Sequence, residues 1–213
     1  MKSLIRVFVL YLAVVFPVLA QGQRGGRGGE PVRSTFDYEG VRLKKVVNAV
    51  RTSDKISIDG HLEETAWQLA VPAADFYQWQ KQGVPATEQT EARFLYDDDN
   101  LYVGVTMWDS DIAHRVVNEL KEDFNFRDTD GITLLLDPLH DRRSGFTFGT
   151  NPAGAKRDGE LSNDGGQNND FDNVWDVKVS VGEDRWTAEY VVPFKSLRFK
   201  DTPVQEWGVN FSR

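Results

Sequence analysis

The sequence predicts an all-β protein, an antiparallel β-sandwich. Short runs in which apolar and polar residues alternate recur down the chain, as strands with one buried face require. Turn residues separate these runs about every 8–12 positions, the spacing of a sandwich. Helical spacing nowhere lasts beyond about one and a half turns, so no α/β alternation competes with that reading.

The first 20 of the 213 residues read as an export signal. Lys2 and Arg6 give a positive start, an apolar run follows, and Val18, Leu19 and Ala20 supply a small-residue cleavage site. The run is too short for an ordinary membrane span, which predicts no transmembrane helix after cleavage. The chain has no cysteine, so a lipid-anchored cysteine and a disulfide framework are both excluded. An exported protein is expected, in the periplasm, at the outer membrane or outside the cell. Residues 21–40, with Arg24, Gly25, Gly26, Arg27, Gly28 and Gly29, have little to pack and read as a flexible linker.

The sandwich is expected over residues 41–213. Of the 25 basic and 33 acidic residues, 9 and 3 fall in residues 1–51, leaving 16 basic and 30 acidic for the body. Such a surface repels nucleic acid, so no nucleic-acid partner is expected.

Residues 45–51 and 55–60 predict short strands, the second ending in an Asp-Gly turn. Leu62, Ala66 and Trp67 share one side of a brief helical turn, with Trp67 plugging the core. Ala92, Phe94 and Tyr96 alternate, Asp97 to Asn100 turn the chain, and Leu101, Val103, Val105 and Met107 form the partner strand. Ile132, Leu134 and Leu136 define the central strand, which Asp137-Pro138 stops. Phe146 and Phe148 line the returning strand. Residues 156–173, rich in Asp, Asn and Gly, are expected to be a long exposed loop. Trp175, Val177, Val179 and Val181, then Trp186, Ala188, Tyr190 and Val192, predict another hairpin. Pro193 opens one helical turn. Trp207, Val209 and Phe211 begin a last strand whose alternation still runs at Arg213, which predicts a sandwich cut short at its C-terminus.

Catalysis has little support. There is no nucleophile-elbow serine, His61, His114 and His140 are scattered, and no H-x-x-x-H zinc pair occurs. Asp128, Asp130, Asp137, Asp158 and Glu160 could in principle pair for glycoside hydrolysis, but nothing singles out two of them. The aromatic residues fit sugar stacking better. Phe124 and Phe126 precede the central strand among charged neighbours, and Phe171 lies in the polar stretch after it. Trp175 and Trp186 belong to strand series and are assigned to the core.

Five motifs in order extend this reading: ISIDGHLEETAW, ARFLYDDDNLYVGV, DTDGITLLLDP, FGTNPAG and RWTAEYVVPFKSLRF with WGVNFSR. Together they resemble carbohydrate-binding module family 9, from about Lys45 to Arg213. The resemblance is to the N-terminal module of large exported bacterial proteins. It implies a non-catalytic jelly-roll-like sandwich that binds an oligo- or polysaccharide, with a link to polysaccharide catabolism. It also implies structural calcium, for which Asp109, Asp111 and Asp130 stand at strand ends.

Family members clamp a sugar between two tryptophans. The first matches Arg127, beside Phe126, and the second lies beyond Arg213. A glutamate of the central strand is replaced by Thr133, and an arginine of the returning strand by Gly149. The expected ligand side is therefore Phe124, Phe126, Arg127, Thr133, Asn151 and Phe171. The alternative is an adapter that docks on its own C-terminal domain, an outer-membrane barrel for example, and binds no sugar.

Overall fold

The computed structural model describes residues 7–12, 45–78, 81, 83–126, 129–162 and 166–213. Its strands are β1 (Val7–Leu12), β2 (Val46–Arg51), β3 (Thr90–Tyr96), β4 (Asn100–Trp108), β5 (Ile132–Asp137), β6 (Gly145–Thr150), β7 (Lys156–Leu161), β8 (Gln167–Asn168), β9 (Asp176–Val181), β10 (Arg185–Pro193) and β11 (Val204–Ser212). A single α-helix among the described residues, α1 (Thr65–Leu69), joins two 3-10 turns, Ile112–His114 and Phe194–Ser196. No described helix is long and apolar enough to cross a membrane.

The strands form two layers, as a sandwich requires. Sheet A runs β8-β7-β6-β5-β11 and sheet B runs β2-β3-β4-β10-β9, with β1 between β11 and β2. Within each of these layers nearly every pairing is antiparallel; β2 and β3 pair in parallel. The strand β1 falls in the apolar run read as an export signal, and pairs in parallel with β11 and antiparallel with β2.

The alternating residues meet between the layers. Ile132, Leu134, Leu136, Phe148, Trp207 and Val209 of sheet A pack against Phe94, Val103, Met107, Trp186 and Tyr190 of sheet B. Burial of this apolar area is the main source of stability. Lys156 caps the cluster, its ammonium 4.9 Å from the Trp175 ring centroid.

Two expectations fail. Residues 55–60 form no strand but lie over the outer face of sheet B, where Ile56, Ala66, Trp67 and Ala70 cover Leu95 and Tyr102. The amides of Asp59 and Gly60 are taken by the Glu189 carboxylate, not by a neighbouring strand. Residues 156–173 are not a simple loop, because their first third pairs in full register with β6 as β7 and then with β8. This stretch has no apolar alternation, yet an edge strand needs only a free neighbouring edge for its amides.

The covering of sheet B by residues 55–70 makes the outer side of sheet A the place to look for a site. Since Leu134 and Phe148 point inward, Thr133, Leu135, Thr147 and Gly149 point outward.

Candidate functional site on the outer side of sheet A

Between the 3-10 turn at Ile112–His114 and β5, the described residues 115–126 and 129–131 cross the ends of β5, β6 and β7 without regular structure. Hydrogen bonds strap it down. Asp130 donates its amide to the Val116 carbonyl at 2.8 Å, and its carboxylate accepts the Val116 amide at 2.7 Å. Asn151 Nδ2 donates to the Glu119 carbonyl at 2.7 Å, and the Asp123 amide donates to the Lys156 carbonyl at 2.9 Å. Arg157 Nη1 closes the strap on the Phe124 carbonyl at 2.9 Å.

This strap sets Phe126 on the outer side of sheet A. A β-carbon built on Gly131 would stand 2.4 Å from Phe126 Cε1, and one built on Gly149 would stand 2.9 Å from Cζ. Only glycine at both positions lets the ring settle so closely on the backbone. Gly149 is the direct partner of Thr133 across β5 and β6, and of Arg157 across β6 and β7. The Arg157 guanidinium carbon lies 5.7 Å from the Phe126 ring centroid, within cation–π range. Phe126, Thr133, Gly149 and Arg157 therefore form one cluster: an aromatic ring, a hydroxyl, a bare backbone and a guanidinium. Phe126, Thr133 and Arg157 are each half-buried.

The other expected ligand residues are placed differently. Phe124 does not face solvent: it is 3 % exposed and packs on Phe126, ring centroids 4.7 Å apart. Alternation along an extended strap puts neighbours i and i+2 at different depths when the strap bends. Asn151 is fully buried and serves the backbone, its Oδ1 accepting the amides of Ala153 at 3.0 Å and Ala155 at 3.1 Å. Phe171 rests partly buried on the core beside Phe146, centroids 5.9 Å apart. Arg127 lies outside the described residues.

Arg157 was not singled out from the sequence. Its neighbours Lys156, Asp158 and Glu160 give no apolar contrast, and only the pairing of β7 with β6 reveals which side it faces. Gly149 is likewise informative only once Phe126 is seen above it.

The three acids expected to hold calcium do not fit one. Asp109 faces the Arg213 guanidinium at 3.6 Å, Asp111 pairs with His114 Nδ1 at 2.5 Å, and Asp130 holds the Val116 amide. Among the described residues no three His, Asp or Glu side chains converge as a metal site. Calcium asks for six to eight convergent oxygens, whereas here each of the three acids meets a different group of the chain: Arg213, His114 and the Val116 amide.

Of the acids that could have paired for hydrolysis, Asp128 lies outside the described residues, and Asp130, Asp137, Asp158 and Glu160 are engaged. Asp137, 3 % exposed, accepts the amides of Asp141 and Arg142, and burial raises its pKa. Asp158 accepts the Asn173 amide, and Glu160 pairs with Arg198.

One buried acid lies on the opposite layer. Glu189 is fully buried, and its Oε2 accepts the amides of Asp59 at 3.0 Å and Gly60 at 3.1 Å. Its Oε1 has no hydrogen-bond partner. Burial, reinforced by the charges of Glu64 and Asp59, pushes its pKa up to about 7.

The profile of the family described as carbohydrate family 9 binding domain-like matches residues 58–212. No curated protein sequence matches the chain. Among solved structures, the chain is similar to a candidate carbohydrate-binding protein of Bacteroides uniformis, with 11 % identity, 59 % of this chain and 60 % of that one covered, and a TM-score of 0.46. It is also similar to a carbohydrate-binding module of family 9 from Caldicellulosiruptor kristjanssonii in complex with glucose, with 15 % identity, 72 % and 73 % covered, and a TM-score of 0.45. The same kind of module from that organism in complex with cellotriose matches at 15 % identity, 68 % and 66 % covered, with a TM-score of 0.43. The chain thus spans about three fifths of the first of these structures.

Proposed function

This chain belongs to the carbohydrate family 9 binding domain-like family, and from that premise we propose that it is an exported, non-catalytic module that binds a saccharide on the outer side of sheet A. The observation that carries this reading is the cluster of Phe126, Thr133, Gly149 and Arg157. A sugar presents a C–H face that stacks on an aromatic ring and hydroxyls that exchange hydrogen bonds with polar side chains. Phe126 supplies the ring, seated on the bare backbone at Gly149, and the Thr133 hydroxyl and Arg157 supply the polar groups.

The resemblance matches the first clamp tryptophan of the family to Arg127, the neighbour of Phe126 in sequence. The leader-like residues 1–20 support export, and residues 21–40 would tether the module. A larger protein engaged in polysaccharide breakdown is the setting this arrangement suits.

The experiment is calorimetric titration of the purified protein with a panel of oligosaccharides. Binding with a dissociation constant in the micromolar-to-millimolar range is expected, lost in Phe126→Ala. No binding across the panel overturns the reading.

One observation favours the adapter alternative. Phe126 fills the space above Gly131 and Gly149 with its own ring, so the site could be closed by the chain itself and the surface could dock on a C-terminal domain instead. The same titration separates the two, because an adapter gives no heat with any sugar.

A further inference from the structure

Taking the saccharide site at Phe126 as its starting point, we propose that the ligand is acidic, a uronic-acid-bearing saccharide whose carboxylate is held by Arg157. The alternation of β7 segregates its charges. Asp158 and Glu160 turn to the side away from Phe126, where they accept the Asn173 amide and pair with Arg198. Lys156 turns the same way, donating to the Trp175 carbonyl at 2.8 Å. Arg157 points to the outer side, with Gly149 and then Thr133 as successive neighbours across the sheet.

On that side the floor is neutral. Thr133, Thr147, Gly149 and Gly159 bring no carboxylate to the guanidinium, and the ion pairs among the described residues do not include Arg157. Among the described residues Arg157 is half-buried with no ion-pair partner, whereas the half-buried Arg93 pairs with Glu91 at 2.9 Å. One of its five N–H donors is used, by Nη1 on the Phe124 carbonyl, which anchors the side chain and leaves others for a ligand.

A guanidinium recognises a planar carboxylate through two parallel hydrogen bonds, stronger than those to a neutral hydroxyl. The guanidinium stands over the Phe126 ring, 5.7 Å from its centroid, so a carboxylate held by the arginine lies close to the aromatic. Thr133, opposite Gly149, brings a hydroxyl and no charge to that side.

The test titrates the whole chain with three probes of equal length: trigalacturonic acid, its methyl ester and cellotriose. The acid is expected to bind about tenfold or more tighter than either neutral probe, as one charge-assisted bidentate contact warrants. That preference should weaken on raising the salt, disappear in Arg157→Met and survive in part in Arg157→Lys. Equal binding of acid and methyl ester overturns this inference and leaves the saccharide site standing. Binding of neither the acid nor a neutral sugar overturns both. The comparison of acid with ester uses the unaltered protein, so it decides the matter even if Arg157→Met fails to fold.

Discussion

The Phe126 ring rests directly above Gly149: a β-carbon built on that glycine would stand 2.9 Å from the ring's Cζ and 3.1 Å from its Cε2. The glycine and the ring therefore define one feature, a bare patch of sheet with an aromatic laid on it. Gly149→Ala is expected to push the ring outward. The ring end gives way more easily than backbone would, so the stability cost should stay near 1 kcal/mol, at the low end for overpacking. Saccharide affinity should fall by more than that loss of stability implies. Urea denaturation and calorimetry on the same variant check the two halves.

Asn151 is expected to matter for stability and not for ligand contact. Its side chain makes three hydrogen bonds to backbone groups of Glu119, Ala153 and Ala155, and it is fully buried. Asn151→Ala leaves those groups without partners, which should cost about 2–4 kcal/mol in urea denaturation. Because the Glu119 contact holds the strap that carries Phe126, limited proteolysis should move to residues 116–126 in this variant. A stable variant with an intact strap would contradict the role given to Asn151.

Glu189 makes stability depend on pH in a direction opposite to ordinary acid denaturation. Its pKa is raised from 4.5 to about 7 in the folded chain, first by burial and then by Glu64 and Asp59. A raised acid binds its proton more tightly when folded, so its contribution is complete below pH 4.5 and is lost as pH rises through about 7. Melting temperature should therefore drop between pH 5 and pH 8, by an amount corresponding to about 1–3 kcal/mol. Glu189→Gln, which keeps an acceptor for the Asp59 and Gly60 amides, should flatten that slope. An unchanged slope would remove Glu189 as its source.

Removal of divalent cations should leave the fold untouched at the corner formed by Asp109, Asp111 and Asp130. Arg213 meets Asp109 with its own charge through Nη2 at 3.6 Å, while its Nη1 donates to the Trp108 carbonyl at 2.7 Å. Melting with and without EDTA should coincide, whereas Arg213→Ala should lower the melting temperature. A large EDTA effect would show that calcium holds the domain after all.

The strands with strong contrast were legible in the sequence for a simple reason. Leu101 to Met107 and Trp186 to Val192 bury every second side chain between two layers, so their period of two is written in apolar residues. Strand β7 was not legible, because Lys156, Arg157, Asp158 and Glu160 are polar on both sides and pair only because the edge of β6 is available. Residues 55–60 misled in the other direction: Ile56 and Ile58 alternate, but both serve the cover of sheet B while Glu189 takes the amides behind them.

The site was half legible. Phe126 and Thr133 stood out by position, and the structure brings them together at Gly149. Proximity in sequence points Phe124 and Asn151 toward the ligand side, but both are buried. Arg157 could be found only through the register that sets it beside Gly149.

The most direct test of the account is backbone chemical-shift mapping of the protein titrated with an oligosaccharide that it binds. The account predicts saturable shifts confined to the outer side of sheet A, at Phe126, Gly131, Thr133, Gly149 and Arg157. Shifts centred instead on residues 55–70 over sheet B, or none at these five positions, would contradict it.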